Sequence, residues 1–202
     1  MASAPAIALR FQRSALQEKA DLSAAGLAAL SQATHPAQFV DALADSGNTR
    51  DALYALALML PHRQAVWWAC LAVRLMAGLA DIPSEVAAVE AAERWVQSAS
   101  GSDAEQAGAV AEKGDLGRAP AWAAMAAFWA GPSLAPRGQQ AVPPAPHLPG
   151  VALRSALILL THDPVFHGRV TFGDWLTIGR SLMNGGNGRD AQAMLRERIT
   201  AS

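Results

Sequence analysis

The chain has 202 residues, is 51% hydrophobic and 16% charged, carries a net charge of −1 and contains one cysteine, Cys70. The lack of a basic excess argues against a nucleic-acid partner, and a lone thiol excludes an intrachain disulfide and a cysteine-cluster metal site. No stretch of about 20 apolar residues is free of charge, so no membrane partner is expected, and the reading is of a cytoplasmic protein forming one domain over 1–202.

Alanine supplies much of the apolar share and is the best helix former. β-Branched residues are too scattered for an alternating strand run. The expected fold is all-α, a single-domain antiparallel bundle of about eight helices with one long Pro-rich crossover loop. Residues 1–20, interrupted by Arg10 and Arg13, make a poor signal peptide and read as a flexible N-terminus. A helix over 21–32 has Asp21 placed to cap it. His35-Pro36 opens the next, with Phe39, Val40 and Leu43 inward and a stop at Ser46-Gly47. Asn48 caps a third, with Asp51 as a first-turn acid and Leu53, Leu56 and Leu60 on its apolar side. Pro61 ends it.

Residues 62–79 are apolar nearly all round, which places this helix in the middle of a bundle. Trp67 and Trp68 stand side by side here, pointing roughly 100° apart, and both can be core if neighbours press from several sides. After a turn at 81–84, residues 84–98 bring Ala88, Ala91, Ala92 and Trp95 into line. Ser102 with Glu105 reads as a capping box for 103–113. Pro120 opens a helix with Trp122, Met125, Ala126 and Trp129 on one stripe, ended by Gly131-Pro132. Residues 131–150 hold six prolines and read as an extended crossover. Helices follow over 150–161, over 172–183 with Thr171 and Asp174 as its cap pair, and over 189–200. The two Trp/Ala-rich helices lie roughly 55 residues apart, which keeps a helical-repeat scaffold open.

The run Leu60-Pro61-His62-Arg63-Gln64-Ala65-Val66-Trp67-Trp68-Ala69 resembles the signature of an uncharacterised bacterial family, Leu-Pro-x-Arg-x-Ala-Val-Trp-Trp-Ala. Ala92-Glu93-Arg94-Trp95-Val96 and the turn from Gly131 into Val142-Pro143-Pro144 resemble its other two elements. Pro132 departs from the pattern, standing where the family turn has glycine. The resemblance covers roughly residues 35–160. It implies no activity. It links such proteins to gene neighbourhoods of type VI secretion, and so to an adaptor or chaperone role.

Arg63, four residues before Trp67, can stack on that indole or pair with Glu93. It reads as a structural clamp or as an anion- or partner-binding arginine. Trp67, Trp95, Trp122 and Trp175 fall at core spacing. Trp68 and Trp129 each share a helix with another indole and are candidates for a groove or partner contact. Pro143 and Pro144 are candidates for recognition by another protein, although such a segment more often packs on its own aromatic residues. Cys70 sits among apolar neighbours and reads as filler. His162, Asp163 and His167 lack a ligand spacing, because Pro164 breaks the helix. The run at 184–189, Asn-Gly-Gly-Asn-Gly-Arg, reads as a helix terminator rather than a phosphate nest.

No catalytic constellation converges. The expectation is a non-enzymatic interaction module, an adaptor or assembly factor with a protein partner, no metal and no cofactor, and with homo-oligomerisation left open. The rival is an anionic-ligand protein or enzyme whose pocket lies between the Trp67/Trp68 helix and the 131–150 loop.

Overall fold

The structure, a computed structural model, describes residues 7–201. Among the described residues there is no strand, and eleven α-helices appear where about eight were expected. They are α1 (Arg13–Lys19), α2 (Ala24–Gln32), α3 (Pro36–Asp45), α4 (Thr49–Met59), α5 (His62–Val73), α6 (Pro83–Ser98), α7 (Gly101–Lys113), α8 (Ala119–Trp129), α9 (Leu148–His162), α10 (Phe172–Met183) and α11 (Arg189–Thr200).

One of the added helices, α1, lies inside the segment expected to be flexible. Residues 1–6 of that segment fall outside the described residues. The remainder is tied down: Leu16 and Ala20 are buried, and Arg13 donates to the Leu30 carbonyl at the end of α2. Arginines that disqualify a signal peptide thus serve here as ties to helix C-terminal carbonyls, which otherwise lack partners.

Several caps differ from expectation. Ser23, not Asp21, caps α2, its hydroxyl accepting from the Gly26 N–H. Asp51 is buried and reaches back across α4 to accept from the Ser23 N–H at 3.1 Å and from the Ser23 hydroxyl. It therefore fixes the start of α2 rather than serving its own helix alone. Ser100 caps α7, two residues before the expected Ser102, with Asp103 accepting from the Ser98 and Ser100 hydroxyls. The Thr171–Asp174 pair is as expected: the carboxylate accepts from the Thr171 N–H at 2.7 Å and its hydroxyl at 2.8 Å. Helix α5 stops at Val73, short of residue 79, and Gly78 turns the chain at φ +74°.

The interior is built on two rods. Residues 51–60 of α4 and its end are all buried. Helix α5 touches α6, α8, α9, α10 and α11, and α4 touches α3, α9 and α10. Small residues let the rods approach. At Gly150 of α9 an added Cβ would strike the backbone of Ala57 and Leu58, and at Gly179 of α10 it would overlap the ring of Trp68. The central place expected for the helix around Trp67 is correct, but α4 shares it.

The bend between α4 and α5 is held by Arg10. Its guanidinium donates to the Leu58 and Leu60 carbonyls at 3.2 and 3.0 Å, to the Pro146 carbonyl at 3.1 Å, and to His62 Nε2. One side chain thus joins the N-terminal segment, the α4 C-terminus and the end of the crossover. Burial, together with the adjacent Arg10 charge, pushes the His62 pKa below its ordinary value, against a smaller upward pull from the Pro146 carbonyl.

Candidate functional site

Trp68 and Trp67 exchange the places expected of them. Trp68 is fully buried in the core, so it is not a groove residue. Trp67 is half-buried and lines a cavity of about 570 Å³. The helical turn explains both. Arg63 begins α5 on an exposed side, and Trp67, one turn later, follows it there. Trp68 is rotated onto α10, where Gly179 leaves room for its ring.

Three walls, with Ile7 ahead of α1, build the cleft. Helix α5 contributes Arg63, Gln64 and Trp67; α6 contributes Glu93, Val96 and Gln97; the turn from α10 into α11 contributes Gly185, Gly186, Asn187 and Arg189. Trp67 Nε1 donates to the Asn187 carbonyl at 2.8 Å, and the Arg189 guanidinium lies 5.0 Å from the indole centroid. Together these contacts clamp the turn against α5. The turn itself is a helix terminator, as expected. The N–H groups of Asn184, Gly185 and Gly186 go to the Arg180, Leu182 and Ser181 carbonyls, with Gly185 at φ +84°. Arg189 N–H is taken by the Asn187 side chain at 2.9 Å.

Arg63 neither stacks on Trp67 nor pairs with Glu93. Its Nε donates to the Val96 carbonyl at 2.5 Å and one Nη to the Gln97 carbonyl at 3.1 Å, closing the C-terminus of α6. A cation is favoured there by the helix dipole as well. Glu93 belongs instead to Arg74, in a two-pronged pair at 2.9 and 2.6 Å.

The other candidates stand apart. Trp129 is half-buried in an edge-to-face pair with Trp122, centroids 6.1 Å apart. Pro143 is exposed and Pro144 half-buried, and neither lines the Trp67 cleft. The crossover lies elsewhere. Its first half makes a separate recess with Gly101, Ser102 and Glu105 of α7, and its end meets Arg10. The rival pocket between the Trp67/Trp68 helix and residues 131–150 is therefore misplaced, because the turn at 185–189 forms the opposing wall. Leu148, Pro149 and Gly150 also leave the crossover for α9, where proline sits in the first turn and no N–H is needed. Cys70 is buried and its thiol pKa is raised by burial. Among the described residues no three His, Cys, Asp or Glu side chains are grouped to hold a metal. Among them, too, no helix is long and apolar enough to cross a membrane.

The profile of a family of unknown function, DUF6931, matches residues 39–183. The chain belongs to this family. The matched span contains α5 and α6 and ends with α10, just before the turn that supplies Asn187 and Arg189. Two walls of the cleft thus lie within the matched span, while Gly185, Gly186, Asn187 and Arg189 of the third lie just beyond its end. No curated protein and no solved structure matches the chain.

Residues 185–189 and Gln97 were not legible as site residues, since nothing in a glycine-rich turn names the helix it will fold against. Trp67 carried a signal that was available: its one-turn spacing from a charged Arg63.

Proposed function

We propose that this protein acts without catalysis, as an interaction module of the adaptor or assembly-factor kind, and that the Trp67 cleft is its recognition surface. The observation that carries the reading is a half-exposed indole on the wall of an open groove, flanked by arginine. Trp and Arg are the side chains that dominate binding energy at protein interfaces. Among the described residues the cleft lining holds no His, Cys, Lys, Ser or Tyr, and its carboxylate, Glu93, is occupied by Arg74. Such a lining is poor in acid–base groups and adequate for docking. Arg63, Trp67, Glu93 and Val96 belong to two of the three motifs that carry the family resemblance, which supports a shared use of the site. The link to type VI secretion rests on that resemblance alone and forms part of the proposal.

A photo-crosslinking amino acid at Gln97, on the cleft, tests this against the same group at Met194, 70% exposed on α11. The expected result is a discrete protein adduct from position 97 and none from 194 in cells expressing the full chain. Adducts from 194 alone, or none from 97, would overturn it.

A second reading, a small anionic ligand in the same cleft, is favoured by the presence there of both Arg63 and Arg189. A helical-repeat scaffold fits less well. Repeat units touch only their neighbours, whereas α5 packs on α8, α9 and α10 and α4 on α9 and α10.

A further inference from the structure

We propose that the Trp67 cleft receives an acidic peptide segment of a partner protein, with carboxylates facing Arg63 and Arg189 and apolar side chains lying on Trp67 and Val96. This rests on the interaction reading above and adds the chemistry of the occupant.

Charge complementarity carries it. The charged side chains on the cleft are Arg63, Arg189 and Glu93. Glu93 is matched by Arg74. Among the described residues no carboxylate pairs with Arg63 or Arg189. Arg63 uses Nε and one terminal nitrogen on the α6 carbonyls, which leaves the other terminal nitrogen available as a donor. Arg189 is exposed, with its guanidinium carbon over the indole at 5.0 Å from the centroid, a contact that holds a guanidinium without consuming its donors. Two guanidiniums oriented by separate contacts and facing one groove are suited to carboxylates, which they bind through paired, charge-assisted hydrogen bonds.

The remaining lining decides between a peptide and a free small anion. Val96 and Leu182 are apolar, while Gln64 and Gln97 offer amides that both donate and accept. Mixed lining of this kind suits the alternating side chains and backbone of an extended segment. A phosphate-like polyanion is served poorly. The N–H groups of residues 184–186 are all donated to α10 carbonyls and that of Arg189 to the Asn187 side chain, so most of the turn's amides are withheld from an anion.

The test is selection of a random dodecapeptide display library on the full chain and on its Arg189→Gln variant. The indole N–H resonance of Trp67 reports occupancy. Arg189 is exposed and makes no ion pair among the described residues, and in the variant the Trp67–Asn187 bond still holds the turn, so the variant folds; Arg63 is left intact because it closes α6. Enriched peptides should be rich in Asp and Glu and should shift the Trp67 signal. They should bind Arg189→Gln about tenfold more weakly, with Arg189→Lys in between. Neutral or basic peptides that shift the Trp67 signal would overturn the acidic occupant and leave the interaction reading standing. Enriched peptides that never shift it would overturn both. Inorganic phosphate or citrate shifting the signal at lower concentration than any peptide would replace the peptide by a free anion.

Discussion

The two faces of α5 present adjacent tryptophans to opposite circumstances. On the α10 side, Trp68 is wholly enclosed, its ring seated over Gly179. Among the described residues its indole N–H has no hydrogen-bond partner. On the cleft side, Trp67 keeps its N–H bonded to Asn187 and carries Arg189 on its ring, with one edge open to the groove. The first indole is used for its volume and the second for its surface. A buried N–H without an acceptor is tolerated at Trp68 because the ring fills space that no smaller side chain fills. The half-exposed Trp67 holds its polar contact because that contact positions the turn forming the far wall.

Mutations separate these uses. The largest effect is expected from Trp68→Ala, about 3–5 kcal/mol of lost stability in urea melts. Trp67→Ala should lose about 1–2 kcal/mol, since much less area leaves water there, while removing the cleft wall. Equal losses would erase the distinction between the two faces. Gly179→Ala sharpens it from the opposing helix. The added methyl group overlaps the Trp68 ring and should destabilise by about 1–3 kcal/mol through overpacking, without altering peptide capture at Trp67. Arg63→Ala should cost about 1 kcal/mol and accelerate amide exchange in the last turn of α6. A loss confined to binding, with exchange unchanged, would show that Arg63 does not close that helix.

The head of α5 supplies a pH effect that touches neither face. His62 has its pKa lowered in the folded state by burial and by Arg10, so the unfolded chain binds the proton more readily. Its contribution is complete above the ordinary imidazole value of 6.5 and is lost as pH falls below it. His147, lowered chiefly by burial, adds in the same direction. Urea midpoints should be flat from pH 7 to 8 and drop by pH 5.5, and His62→Asn, which can still accept from Arg10, should flatten most of that drop. An unchanged slope in the variant would assign the effect elsewhere. The smallest effect is expected from Arg189→Gln, within about 0.5 kcal/mol of wild type, as for an exposed residue without an ion pair.

Helix ends were the most legible feature, because their causes are local. Pro36 at a helix start, Gly47 at φ +80° after α3, and the Thr171–Asp174 pair each stand where residue chemistry places them. Caps that depend on another helix are not legible, and the local α7 cap falls on Ser100 rather than Ser102. Ser23 is fixed by Asp51 from α4, and α6 is closed by Arg63 from α5. The cleft is partly legible: the sequence singles out Arg63, though its partners are α6 carbonyls rather than Trp67 or Glu93, and it favours Trp68 where Trp67 lines the groove. Trp129, Pro143 and Pro144 stand out by composition, which says nothing of what they face.

The amino-acid sequence by itself determined an all-α chain, its stops and starts, and the central helix with its two indoles set roughly 100° apart. Those follow from propensities and spacings that act within a few residues. Only the tertiary structure decided which indole is enclosed, that the cleft's far wall comes from residues 185–189, and that Arg10 joins three segments. Helical periodicity fixes the angle between two side chains on a rod. Which neighbour meets each face is settled by long-range fit, in this molecule by a glycine on α10 and a turn more than a hundred residues downstream.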